Sequence, residues 1–195
     1  MFEKNINKID IQTLLVSLIV IFITFSRIVP HIYNFTPMIA LAIFGSLHFK
    51  NRNLAYILPL LSLWISDFIL NNYLYSKSNE IMWFYEGYYW QYLSYVIIIL
   101  LSSSFYKKII TIKKVFLLGI SSSFIFFIIT NFGFWITSDL YPNNFMGLID
   151  CYLLAIPFYQ GTLLGTLFFT PFFIGSYYLL QKKIYLFKCK HLIYK

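Results

Sequence analysis

The lysines and arginines of this chain collect on alternate connections between its apolar stretches. Counting six such stretches from the N-terminus, one side gathers Lys4, Lys8, Lys50, Arg52, Lys107, Lys108, Lys113 and Lys114. The C-terminal tail adds Lys182, Lys183, Lys188, Lys190 and Lys195 to that side, and only Arg27 and Lys77 are left for the other. Basic residues resist translocation, so cytoplasmic loops retain them. A chain folding in water has no reason to alternate its charges in this way. The pattern predicts an all-α integral membrane protein, a bundle of six transmembrane helices with both termini cytoplasmic. Its expected location is the cell (inner) membrane, as a multi-pass protein.

Composition agrees with that reading. Hydrophobic residues make up 59% of the chain and charged residues only 11%, against about a quarter charged in ordinary globular domains. A net charge of +8 could serve nucleic acid. The basic residues, however, flank apolar spans in short clusters, which suits the anionic headgroups of membrane lipid; nucleic acid is not an expected partner. Alanine occurs only at Ala40, Ala42, Ala55 and Ala155, while Phe, Tyr, Ile, Asn and Lys are plentiful. We read that skew as codon bias, which removes functional weight from most aromatics. Cys151 and Cys189 are expected on opposite sides of the membrane, too far apart for a disulfide. Lys4 and Lys8 before the apolar run 14–25 resemble a signal sequence, but no small-residue cleavage pattern follows, so the run is read as a retained first span.

A crossing takes roughly 20 apolar residues for a hydrocarbon layer about 30 Å thick. The expected spans are 11–28, 36–49, 54–70, 90–105, 115–136 and 161–180, in one membrane domain covering 1–195. The second is short, about 20 Å at 1.5 Å per residue, so its outer end is expected below the membrane surface, as a short or re-entrant helix. Thr36-Pro37 reads as its start, Thr36 as N-cap and Pro37 at the first helical position. The outer segment 145–158 is apolar but interrupted, and is expected to lie on the surface or re-enter before helix six.

Placed by depth, the costly polar residues fall in the outer half: Arg27, His31, Asn34, Thr36, Asp67, Asn131 and Gln160, with Gln91 and Thr162 nearby. A charge in the apolar layer costs about 2.5–3.5 kcal/mol even on permissive scales, so such groups face a cavity or one another. These residues are therefore candidates for lining a substrate site that opens outward. Asp67 near a helix C-terminus wants a cation, and Arg27 is the best placed. Whether that pair ties helices together or contacts ligand is left open by the residues alone. His31 has no second His or carboxylate at ligand spacing, so no metal is expected. Gly161 and Gly165 form a small-xxx-small pair beside Thr162, Thr166 and Thr170, a face suited to close helix packing. No nucleophile elbow, zinc signature or phosphate loop occurs. Neither an enzyme activity nor a cofactor is expected.

The stretches SRIVPHIYNFTPMIALAIFGSLHF (26–49), PLLSLWISD (59–67), TNFGFW (130–135) and CYLLAIPFYQGTLLG (151–165) resemble a domain-of-unknown-function family of small bacterial membrane proteins, common in Bacteroidetes and labelled as transporters. That family is similar in size and topology to the substrate-binding S components of energy-coupling factor transporters. The resemblance implies a six-helix fold with an outward pocket and an energising transporter module as partner. S components dock on that partner through an alanine-x-x-x-alanine face in helix one, where this chain has only Ser17 among bulky residues. Family members often carry an acid after T-L-L-G, where this chain has Thr166, which the resemblance makes a substrate-binding candidate.

The resulting expectation is a transport protein, a substrate-binding subunit for uptake of a small vitamin-like molecule. The alternative is a non-transporting interaction or assembly subunit, whose aromatic outer segments contact another membrane protein.

Overall fold

A computed structural model describes residues 21–28, 33–49, 51–75, 80–105 and 111–193, with side chains described up to residue 179. The beginning of the first expected span, His31, and the lysines of the C-terminal tail lie outside the residues or side chains described. The described residues are all helical apart from their connections, with no strand among them. We label the helices α1 (residues 21–28), α2 (Met38–His48), α3 (Arg52–Ile69), α4 (Tyr88–Ser103), α5 (Ile112–Thr137) and α6 (Phe145–Ile193).

The centre of the molecule is the shortest complete helix. Within α2, Met38–Ile43 and Gly45–Leu47 are all buried, and the helix packs against α3, α4, α5 and α6. A helix apolar on every side is stable only when surrounded. Its alanines let the neighbours approach: Ala40, Ala42 and Ala55 are fully buried and Ala155 nearly so. The scarce alanines thus sit at close helix contacts, where small residues are needed. The start of α2 differs from the sequence expectation. The cap is Pro37, without any side-chain hydrogen bond, and Leu41 N–H donates to the Pro37 carbonyl at 2.9 Å. Thr36 stands one residue too early to cap the helix.

The outer helices are longer. α3 is capped by Asn51, whose side chain accepts from Asn53 N–H at 3.0 Å, and runs on through a π-helical turn, Leu70–Leu74. α4 follows Gly87, whose φ of 75° is open to glycine at no steric cost. Three helical stretches are long and apolar enough to cross a membrane: Arg52–Leu74, Ile112–Thr137 and Phe145–Leu179. Their outward faces bear large apolar side chains such as Phe124, Leu164 and Phe168, each more than half exposed. Apolar surface this extensive is not left facing water by soluble monomers.

The segment 145–158, expected on the surface or re-entrant, is helical and forms the first part of α6. Asn144 starts the helix, its Oδ1 accepting from Gly147 N–H at 2.8 Å and its carbonyl from Leu148 N–H at 3.1 Å. The segment then lies along α5: Tyr152 O–H donates to the Ile128 carbonyl at 2.7 Å, and Phe127 packs on Tyr152 and Tyr159. Pro157 and Pro171 are both accommodated inside the helix, where each removes one backbone donor. The interruptions by Pro and Gly, which argued against a separate crossing, are carried within the helix by its packing along α5.

Candidate functional site

Between α2 and α6 the chain must find room for the connector that precedes α2. Asn34 takes a left-handed backbone, φ 59°, a conformation that Asn tolerates better than most residues. Thr36 N–H donates to the Asn34 carbonyl at 3.0 Å, closing a tight turn. The turn fits because α6 presents glycines to it. A methyl group on Gly161 would overlap the Tyr33 carbonyl oxygen, and one on Gly165 would lie 3.0 Å from Thr36 N. The small-xxx-small face therefore packs against irregular backbone. Phe35 is held between Phe168 and Phe169 at ring separations of 6.0 and 5.4 Å.

Beside this turn lies a cavity of about 50 Å³, lined by Arg27, Asn34, Thr36, Ile39, Gln91, Tyr95, Phe126, Thr162 and Thr166. Phe126 is near the middle of α5, so the connector reaches the mid-depth of the bundle. Non-helical backbone survives at membrane depth only when it is buried in protein or lines a cavity, and Asn34 and Thr36 of this segment line one. Thr162 and Thr166 donate to their own helix, to the Phe158 carbonyl at 3.2 Å and the Thr162 carbonyl at 2.8 Å.

Arg27 is the charged wall of the cavity. Its Nη1 pairs with Asp67 Oδ1 at 2.7 Å, the two side chains being 15% and 13% exposed. The same nitrogen donates to Ser66 Oγ and, at 3.4 Å, to the Leu63 carbonyl. Serines at 62 and 66 share the α3 face that leads to Asp67. Asp67 stands behind the arginine and does not itself line the cavity. Its Oδ2 is buried without a hydrogen-bond partner among the described residues.

The segment 80–87 reaches the same site. Asn72 fixes it, its Nδ2 donating to the Met82 carbonyl at 2.8 Å while its Oδ1 accepts from Met82 N–H at 2.7 Å. Trp83 packs on Phe68 at 5.3 Å. Tyr85 O–H donates to Gln91 Oε1. Burial, reinforced by the nearby Asp67 carboxylate, raises the Tyr85 phenol well above its ordinary value, so Tyr85 stays a protonated donor.

Of the candidates read from the sequence, the structure brings Arg27, Asn34, Thr36 and Thr166 to the cavity, with Asp67 against Arg27. Asn131 and Gln160 do not line it. Asn131 Nδ2 donates to its own helix at Phe127, 2.7 Å away, and its carbonyl meets the Cys151 thiol; Gln160 is exposed. His31 lies outside the described residues. Gln91 and Thr162, read with the outer-half polar residues, also line the cavity, whereas sequence reasoning did not select Tyr95, Phe126 or Ile39. Gln91 and Tyr95 are four apart on α4, a spacing that puts both on one face.

Apolar helices of membrane-crossing length, packed around a charged polar pocket, define this molecule as a helical membrane protein with an interior polar site. The chain belongs to the family of unknown function DUF6580, whose profile matches residues 7–189. No curated protein and no solved structure matches it.

Proposed function

We propose that the chain is a membrane transport subunit that binds a small polar solute between its helices. The observation that carries this reading is the largely covered Arg27–Asp67 pair, its side chains 15% and 13% exposed, set against a polar cavity. A charged group held within an apolar bundle costs free energy that packing alone would avoid, and such groups mark solute and ion pathways. In this reading all six helices cross the cell membrane with both termini cytoplasmic, as the alternating basic connections favour. The 33–36 turn and the 80–87 segment then cover the site from outside. A volume of about 50 Å³ favours a solute of few heavy atoms over the vitamin-sized one that the likeness to S components implies. Admitting a larger solute requires the turn to leave its seat on Gly161 and Gly165. Energy comes from a partner module or an ion gradient, because the sequence has no nucleotide-binding loop.

The test is mass spectrometry of small molecules that co-purify with the detergent-solubilised full chain, with Arg27→Gln/Asp67→Asn as the control. A stoichiometric metabolite present in the wild type and missing from the folded control supports the reading. A protein that remains empty after gentle solubilisation, but holds a stoichiometric protein partner, replaces it with an assembly role.

A further inference from the structure

We propose that the solute is a small carboxylate, held by the free edge of the Arg27 guanidinium; this rests on the solute-binding reading above. The first ground is charge. Arg27 is the single charged residue among those lining the cavity, and its counter-ion Asp67 stands behind it. The hydrogen bonds that Arg27 makes among the described residues all leave from Nη1. Nη2 and Nε keep their N–H groups, a fork that matches the two oxygens of a carboxylate.

The second ground is the remaining hydrogen-bonding capacity. Gln91 is committed to its neighbours, its Oε1 to Tyr85 and its amide to the Tyr95 phenol, so the donors left over are those of the connector. The Asn34 amide and the Thr36 hydroxyl have no side-chain partner among the described residues, and both can donate. No carboxylate lines the cavity to receive a cationic solute. The wall thus offers donors to a ligand rich in acceptors.

The third ground is size. The cavity, about 50 Å³, is larger than the roughly 10–15 Å³ that one water needs and suits a solute of few heavy atoms such as acetate. Asp67 repels such an anion, but the guanidinium lies between them. Asp67 acts as a positioning residue that orients Arg27.

The experiment uses the full chain in lipid nanodiscs and measures binding of three probes of equal size class by calorimetry: acetate, acetamide and methylammonium. Acetate is expected to bind at least roughly tenfold more tightly than acetamide, the size of one charge-assisted hydrogen bond. Arg27→Gln is expected to remove that preference, and Arg27→Lys, which keeps the charge without the fork, to retain part of it. Asp67→Asn is expected to hold or raise acetate affinity, because it removes the repulsion and leaves an oxygen for Nη1. A merely structural pair predicts the reverse, a loss of all binding in Asp67→Asn. Equal binding of acetate and acetamide, or preference for methylammonium, overturns the carboxylate assignment while leaving a solute-binding protein. Failure to bind any of the three overturns both.

Discussion

Removing one member of the Arg27–Asp67 pair leaves the other charged and largely covered by protein. The nitrogen and oxygen are 2.7 Å apart and both side chains are less than one-sixth exposed. Breaking a pair at that burial costs about 3–5 kcal/mol. The two single variants should not be equal. In Asp67→Ala the guanidinium keeps the Ser66 hydroxyl and the Leu63 carbonyl, which places the loss near the lower end. In Arg27→Ala the carboxylate has one oxygen already without a partner among the described residues, and now loses its counter-charge, which places it near the upper end. The double variant carries no stranded charge, so it should be less destabilised than the sum of the singles by at least about 1 kcal/mol. The assay is a double-mutant cycle on the full chain in mixed micelles, with unfolding by an anionic detergent followed through tryptophan fluorescence. Losses that add to within about 0.5 kcal/mol would refute the claim that each charge is sustained by the other.

Further outcomes follow from the same geometry. Gly161→Ala should cost about 1–3 kcal/mol by overpacking in that unfolding assay, because the Tyr33 carbonyl stands where the methyl must go; Gly175→Ala, which meets nothing within 4 Å, is the neutral control. Thr36→Val should change stability by less than about 0.5 kcal/mol, because Thr36 caps nothing, whereas loss of a true N-cap costs about 1 kcal/mol. It should nevertheless weaken solute binding measured by calorimetry. Asn34→Gly should be tolerated and Asn34→Val should not, since a β-branched residue is a steric outlier at φ 59°; relative expression and melting of the two variants decide it. Tyr85 keeps its proton in the folded chain above the pH at which the unfolded phenol, near pH 10, has lost it. Its contribution to stability is therefore complete below about pH 10 and declines as pH rises, and Tyr85→Phe should flatten that decline in a pH series of unfolding curves.

Several features of the molecule were legible in the sequence. Apolar length places helices over 54–70, 90–105 and 115–136 close to where α3, α4 and α5 are found. The shortness of α2 was readable from the distance between Pro37 and Lys50. The attraction of Asp67 to Arg27 followed from the cost of leaving either alone in an apolar setting. These properties depend on composition and spacing along one segment, so one segment is enough to reveal them.

The rest was decided by segments far apart in the chain. Thr36 carries the signature of a cap, yet the helix starts one residue later because the 33–36 backbone settles on Gly161 and Gly165, more than a hundred residues away. The Asn144 cap and the α5 surface join 145–158 to the last helix as one continuous element. Asn131 and Gln160 have the polarity of site residues but do not line this cavity. Gln91 and Tyr95 gain a place at the site because α4 packs against α2 and turns that face inward. Sequence alone fixed which residues are too costly to leave unpaired in an apolar bundle. Tertiary structure chose their partners, because pairing depends on which helix faces meet, and close packing across the bundle settles that.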